Sequence, residues 1–299
     1  MKKVLVLVTS ERMPCNDVMY AELAKHCELT IKKITKSEQK NLKKCTADIN
    51  FKAFDKVLID LHFKRIYRQY RFFRKIRGVN FLEEDMCQNY ISTSHWTGKF
   101  LKFYKKVDEC KVLASGHYVS RRMRRDKVET YYIGKAYDHE LITNKGEIRS
   151  IDYGFIGRIR NTVYTGRREF LESLVEQVGL KLLRTEPGED YAEALNQIKF
   201  FISADIELGE YMIKNFEAMG AGCILCAYSQ GNGEEEDLGL IDMENVILYA
   251  SMDELLGKLK TVDADNGLSR KIAQNGHKLA SEEFTYKSLA NRLALALEL

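Results

Sequence analysis

Proline is scarce in this chain: Pro14 and Pro187 are the only two in 299 residues. Neither falls inside a stretch with strand or helix periodicity, so no regular element has to be broken for them. Long apolar runs are missing too. None approaches the ~20 residues of a membrane-spanning helix, and Met1-Lys2-Lys3 leads straight into strand-like residues rather than a signal peptide. The seven cysteines lack framework spacing, and an odd number without an export signal fits a reducing cytoplasm rather than a disulfide scaffold. Cys223 and Cys226 form a Cys-x-x-Cys inside an apolar run with no second ligand pair, which marks core residues rather than zinc or redox chemistry.

What is present is ordinary for a globular protein, 45% hydrophobic and 30% charged, and long enough for two domains. The net charge of +4 hides an asymmetry. Residues 1–148 carry 31 Lys+Arg against 18 Asp+Glu, and residues 149–299 carry 16 against 25. A basic half joined to an acidic half suggests two domains with different partners, the basic one meeting the anionic surface or acceptor. Strand-length apolar runs at Val4–Val8, Leu29–Ile34, Val57–Leu61, Val79–Leu82, Lys111–Ala114 and Thr130–Ile133 alternate with helical spacing. A second series runs through Tyr153–Ile156, Lys181–Leu183, Phe200–Ser203, Cys223–Ala227 and Val246–Tyr249. Helices are expected near 167–178, 190–197, 213–219 and 252–259, then at 269–284 and 286–297. Alternation of this kind predicts α/β architecture: two Rossmann-like, doubly wound domains, 1–148 and 149–299, with C-terminal helices. The polar stretch Thr143–Ser150 reads as the linker, and the last helix is expected to return to the first domain. Ligands of such sheets bind at the carboxyl ends of the strands, so an interdomain cleft is the expected site.

The most informative stretch is Gly209–Ala227. Glu217 lies in an apolar context, Asn215-Phe216-Glu217-Ala218-Met219, within a short helix that ends at Gly220-Ala221-Gly222 before a continuous apolar strand. A carboxylate can accept both hydroxyls of a ribose, and free N–H groups at a helix start favour phosphate, so this layout describes a nucleoside-diphosphate site. The bland reading of Glu217 is a solvated helix carboxylate, and that of Lys214 a surface lysine.

The C-terminal half resembles glycosyltransferases of the two-Rossmann-domain (GT-B) class. More narrowly, it looks like the family-4-type enzymes (glycosyl transferases group 1) and the spore maturation protein CgeB-like group. The resemblance rests on an ordered set of pieces over roughly 151–298. These are Phe155-Ile156-Gly157, Gly166-Arg167-Arg168, Lys214 through Gly222, Ser251-Met252-Asp253-Glu254-Leu255, Ala273-Gln274-Asn275-Gly276 and Phe284-Thr285-Tyr286. In the first half only Lys135-Ala136-Tyr137-Asp138 fits, resembling the stretch that closes the first domain. The resemblance implies that Glu217 binds the ribose of a sugar nucleotide and Lys214 a phosphate. It also implies that a basic residue after the first strand of this half stabilises the leaving diphosphate; Arg158 and Arg167 are the choices, with Arg160 and Arg168 nearby. The family's second glutamate, eight positions before the ribose-binding one, is replaced here by Gly209. Glu207 or Glu210, or the backbone of Leu208–Tyr211 up to Tyr211 itself, is left to meet the transferred sugar, and retention or inversion stays open. Asp263-Ala264-Asp265 matches the metal-binding string of the other main glycosyltransferase fold but sits between two helices, where capping is the expected role. Neither a metal nor a cofactor is expected, the nucleotide sugar being a substrate.

On the acceptor side, Asp60, His62, Glu83, Glu84, Asp85 and His117 fall near strand ends, with Asp85 and His117 leading as candidate bases. The segment Phe63–Gly78 interleaves Lys64, Arg65, Arg68, Arg71, Arg74, Lys75 and Arg77 with aromatic and aliphatic residues. Three readings compete for it: a core helix, an interfacial helix on anionic lipid, or a nucleic-acid surface, of which nucleic acid ranks below the membrane. The expected protein is a cytoplasmic bacterial enzyme of polysaccharide or lipopolysaccharide synthesis, with peripheral contact to the inner face of the membrane. It would move sugar from a nucleotide donor such as a UDP-sugar to a saccharide or lipid-linked acceptor without metal. The rival is a non-catalytic two-domain protein that binds a nucleotide or sugar and acts through its basic surface.

Overall fold

The computed structural model describes residues 1–299 apart from 12–14, 160–164 and 207; Pro14, Arg160 and Glu207 therefore lie outside the described residues. The chain forms two compact units, Met1–Gly134 with Leu289–Leu299, and Lys135–Ser288.

The first unit is built on six strands: β1 (Lys3–Thr9), β2 (Glu28–Ile34), β3 (Lys56–Asp60), β4 (Val79–Glu83), β5 (Lys111–Ala114) and β6 (Thr130–Tyr132). They pair in the order β2-β1-β3-β4-β5-β6, all parallel. Val4 through Val8, Val57 through Ile59 and Val112 through Ala114 are buried, as continuous apolar runs in a covered parallel sheet should be. The edge strand β2 shows the opposite pattern, with Lys32 and Lys33 facing out, the usual guard of an open edge. The final residues pack on this unit: Glu298 accepts from Lys56 and Lys111, and Arg292 donates to the Ile133 carbonyl at 2.6 Å.

The second unit carries β7 (Ile151–Ile156), β8 (Lys181–Leu183), β9 (Ile198–Ile202), β10 (Ile224–Tyr228) and β11 (Ile247–Tyr249). Their order is β11-β10-β9-β7-β8, again wholly parallel. Both sheets place the first strand between the second and third, so the direction of winding reverses beside that strand. In the second unit the reversal falls between β7 and β9, and the carboxyl ends of such strands are where a sheet of this kind takes its ligand. Helices at Thr165–Val178, Glu189–Gln197, Ile213–Gly220, Met252–Ala264 and Asn266–Glu283 cover this sheet.

Two expectations change. The stretch 135–148 packs with the second unit rather than the first. Tyr137 donates its N–H to the Phe284 carbonyl and accepts from Tyr286 N, at 2.8 and 2.9 Å, while Asn196 Oδ1 accepts from Lys145 N at 2.9 Å. The segment Phe63–Gly78 is not one helix but two turns, Phe63–Ile66 and Tyr70–Phe73. Gln69 explains the break, since its side chain accepts from Leu42 N and donates to the Gln39 and Arg65 carbonyls, competing with helical bonding. Asp263 ends one helix and bonds Lys199, while Asp265 caps the next through Gly267 N and Leu268 N, the expected capping role. Cys223 and Cys226 are buried in the core, and burial pushes the Cys223 thiol up to about 11.

Candidate active site

The carboxyl edge of the second sheet is organised around Asp205, which follows β9 after Ser203 and Ala204. Its Oδ1 accepts from Arg167 Nη2 at 2.8 Å, and Arg167 Nε also donates to the Ala204 carbonyl at 2.8 Å. Its Oδ2 accepts from Met212 N at 3.0 Å and Asn215 Nδ2 at 2.6 Å. One buried carboxylate thus fixes a guanidinium and the start of the helix Ile213–Gly220 together. Among the described residues the N–H groups of Ile213 and Lys214 have no protein acceptor, as the first turn of a helix leaves them.

Glu217, in the second turn of that helix, is only 8% exposed, so the bland reading of a solvated carboxylate fails. Its Oε2 accepts the Tyr191 hydroxyl at 2.6 Å. Burial raises the Glu217 carboxyl above its usual value, against the opposing pull of that hydroxyl and of Lys214. Lys214 is not a surface lysine either. Burial lowers its ammonium, which donates to the Ile156 carbonyl at 2.5 Å and lies 5.4 Å from the centre of the Tyr191 ring. That position requires Gly157, because a Cβ there would stand 2.9 Å from Lys214 Nζ. Glu217, Tyr191, Lys214 and the backbone of 156–157 form one continuous cluster. Gly220 and Gly222 make room behind it, for the Tyr137 ring and for Asn144 and Arg149 respectively. Arg149 then ties three elements together through the Leu195, Ile198 and Ala221 carbonyls.

The remaining sequence candidates divide. Arg158 follows β7 and is exposed, with no ion-pair partner among the described residues. Arg168 points along its own helix toward Glu172 at 3.8 Å. Glu210 is buried and paired with Lys135 at 2.8 Å. Tyr211 is buried as well, and its hydroxyl donates to Glu235 Oε1 at 2.7 Å, so its ring serves the interior of the unit. Glu235 also takes Ser229 Oγ and the N–H groups of Gln230 and Gly231. Burial pushes its carboxyl up, yet these donors outweigh it and leave Glu235 below the usual value. Gln230, fixed in this way, donates to the Asp205 carbonyl at 2.8 Å and accepts Gly209 N at 2.8 Å. Asp205, Tyr191, Gln230 and Glu235 were not picked out from the sequence. Only Asp205, close after an apolar strand, carried a readable signal.

In the first unit Asp85 is exposed and lines a cavity of about 220 Å³ with Asp60, His62, Glu83, Glu84 and Trp96. Glu83, the last residue of β4, is buried and accepts the Tyr104 hydroxyl. Burial, reinforced by Asp85, Asp60 and Glu84, pushes its carboxyl up to about 8. His117 opens the helix after β5 and lies against Tyr132, with ring centres 4.4 Å apart and planes tilted by 47°. Arg121 donates to His117 Nδ1 at 2.9 Å, so a neutral ring carries its proton on Nε2.

Residues 160–294 match the family model described as glycosyl transferase-like. No curated protein matches the chain in sequence. Among solved structures, HepE of Anabaena in complex with UDP is 13% identical with a TM-score of 0.69, covering 100% of both chains. Sucrose-phosphate synthase of Thermosynechococcus elongatus is 10% identical with a TM-score of 0.68, over 100% of this chain and 98% of that one. BGT of phage T4, in complex with UDP and Mn2+, is 10% identical with a TM-score of 0.61 over 100% of both. The resemblance to GT-B glycosyltransferases holds, in sequence over residues 160–294 and in fold over the whole chain. The class of enzyme expected, a glycosyltransferase, is the one the family match gives.

Proposed function

We propose that this glycosyltransferase-type chain takes its sugar from a UDP-sugar, held in the second unit, and passes it to a hydroxyl of a saccharide or lipid-linked acceptor. The observation that carries the reading is Glu217, buried yet flanked by Lys214 and a helix N-terminus. The three supply what a nucleoside diphosphate needs: an acceptor for the ribose diol and positive charge for the phosphates. Complexes of HepE with UDP and with UDP-glucose support uridine as the base and glucose as a first sugar to try.

Tyr191 fixes one oxygen of Glu217, so the carboxylate meets the ribose without first being ordered. Departure of the nucleoside diphosphate develops charge on its terminal phosphate. Lys214, Arg158 and the N–H groups of Ile213 and Lys214 meet that charge in a partly dry setting, where each donor counts for more than in water. Arg167, held on Asp205, adds its field and keeps the helix start in place. Gly209 and Glu210, positioned by Gln230 and Lys135, border the loop that meets the transferred sugar. Asp85 serves as base toward the acceptor hydroxyl, with His117 the alternative base. In this reading the cations, rather than a metal, meet the charge on the leaving diphosphate. We place the reaction in the bacterial cytoplasm, in the synthesis of a cell-envelope polysaccharide.

The test is a thermal-shift and hydrolysis screen over nucleotide sugars. UDP should raise the melting temperature of the wild type and not that of Glu217→Ala, and slow hydrolysis of one UDP-sugar should persist in EDTA. Stabilisation by UDP without any turnover of donor would leave the non-catalytic binding protein as the better reading.

A further inference from the structure

The basic segment of the first unit has gained a partner the sequence did not show. The turn Tyr70–Phe73 packs near the short element Phe51–Ala53, and the two frame a groove of about 550 Å³ lined by Phe51, Phe72, Ile76 and Ala47. Lys43, Arg71 and Lys75 stand on its rim, all exposed. Arg68 and Arg74, exposed in the same segment, and Lys106, beside the Tyr70 ring, add further cations. None of these six cations is paired with a carboxylate among the described residues, whereas Lys32 and Lys33 on the edge strand are paired with Asp48 and Asp17. A cluster of unneutralised cations is costly unless an anionic surface offsets it.

The aromatic rings decide which anionic surface fits. Single-stranded nucleic acid asks for an open ring face on which to stack, and a duplex asks for phosphate contacts alone, which would leave an apolar groove unused. Here Arg68 lies over Tyr67 at 5.2 Å, and Tyr70 has Arg71 at 5.8 Å and Lys106 at 5.0 Å. Phe72 meets Phe51 and Phe73 edge-on, at 5.9 and 5.1 Å. The rings are occupied, and the groove between them is apolar. A lipid asks for that combination: phosphates for the cations and an apolar slot for the upper acyl chain, with the Lys and Arg stems lying along it. No helix of the described residues is long and apolar enough to cross a membrane, so contact of this kind is peripheral.

We propose that this face docks on an anionic phospholipid bilayer, with Lys43, Arg71 and Lys75 meeting headgroup phosphates and the Phe51–Phe72–Ile76 groove receiving acyl chain. The proposal is independent of the donor-side residues, so its test reads binding rather than transfer. The full chain is floated with vesicles of equal parts phosphatidylglycerol and phosphatidylcholine, and with phosphatidylcholine alone. Flotation is expected only with the anionic vesicles and should fall with salt, while inorganic phosphate at matched ionic strength should compete no better than chloride. Arg71→Glu with Lys75→Glu should lower the partition coefficient by about a thousandfold, at about 5-fold for each unit of charge near the surface. Phe51→Ala should lower it by about tenfold without changing the salt dependence. Equal flotation with neutral vesicles, or undiminished flotation of the double variant, would overturn the proposal. So would tighter binding of duplex DNA or single-stranded RNA than of vesicles, abolished by the same double variant.

Discussion

Glu217 in the second unit and Glu83 in the first are both buried, and each accepts a hydrogen bond from a tyrosine hydroxyl, Tyr191 and Tyr104. Burial raises both carboxyls. They differ in the charges beside them. Glu217 has Lys214 one helical turn back, which favours the ionised form; Glu83 has Asp85, Asp60 and Glu84, which favour the proton. The same local device therefore meets opposite neighbours, a cation that opposes the rise in one unit and carboxylates that add to it in the other. Desolvation sets the sensitivity of such a group, and the neighbouring charges choose the state.

The largest effect should come from removing the acceptor. Glu217→Ala is expected to weaken UDP binding by about a thousandfold, roughly 4 kcal/mol, since two hydrogen bonds to a charged group are lost. Titration calorimetry measures it directly. Glu217→Gln keeps an oxygen for Tyr191 but not the charge and should fall in between. Equal affinities for the two variants would break the comparison, because they would mean that the ionised state of Glu217 does nothing.

Glu83 offers the reverse test. Its folded carboxyl lies near 8, above the ordinary value of 4.5, so the folded protein binds more protons than the unfolded chain between those limits. That contribution is complete below the ordinary value and is lost as pH rises through the folded one. Wild-type stability should drop by about 5 kcal/mol across this window relative to Glu83→Gln, which cannot ionise. Urea midpoints at pH 5, 7 and 9 (about two units apart) would reveal the divergence. Parallel curves would show that Glu83 is ionised throughout and that its acidic neighbours are screened.

Much of this was legible beforehand, for reasons that can be assigned. The strands follow from uninterrupted apolar runs, and the helix Ile213–Gly220 from the spacing of Phe216 and Met219 and its Gly-Ala-Gly stop. Glu217 stood out because a charged residue in an apolar context asks for an explanation. Tyr191 did not, because its partner is 26 residues away and a tyrosine in a helix is unremarkable until its hydroxyl has a target. The position of Tyr211 in the chain points to the ligand, yet Glu235 takes its hydroxyl inside the unit. The segment 63–78 had helical spacing throughout, but spacing does not reveal a side chain such as Gln69 that bonds the backbone of another segment.

Asp205→Asn should cost about 2 kcal/mol in folding stability. The amide presents one donor where two donor sets converge, Arg167 on one side and Met212 N with Asn215 on the other. UDP affinity should fall with it, since the helix start that bears Lys214 loses its tether. A stability loss with full affinity would separate the frame from the site and confine the comparison to Glu217 and its two contacts.

The smallest expected change in stability belongs to Arg158→Ala. Arg158 and Arg167 flank the same edge, but Arg167 is held by two acceptors and Arg158 is exposed with no carboxylate partner among the described residues. Truncating an unpaired surface side chain changes stability by within about 0.5 kcal/mol, so the melting temperature should not move. Turnover should still fall by about tenfold or more if Arg158 meets charge that develops only as the diphosphate leaves. UDP affinity should fall as well, because the product carries that charge permanently. A loss of turnover without any loss of affinity for UDP would instead place Arg158 on the transferred sugar, leaving Lys214 as the principal side-chain cation on the phosphates.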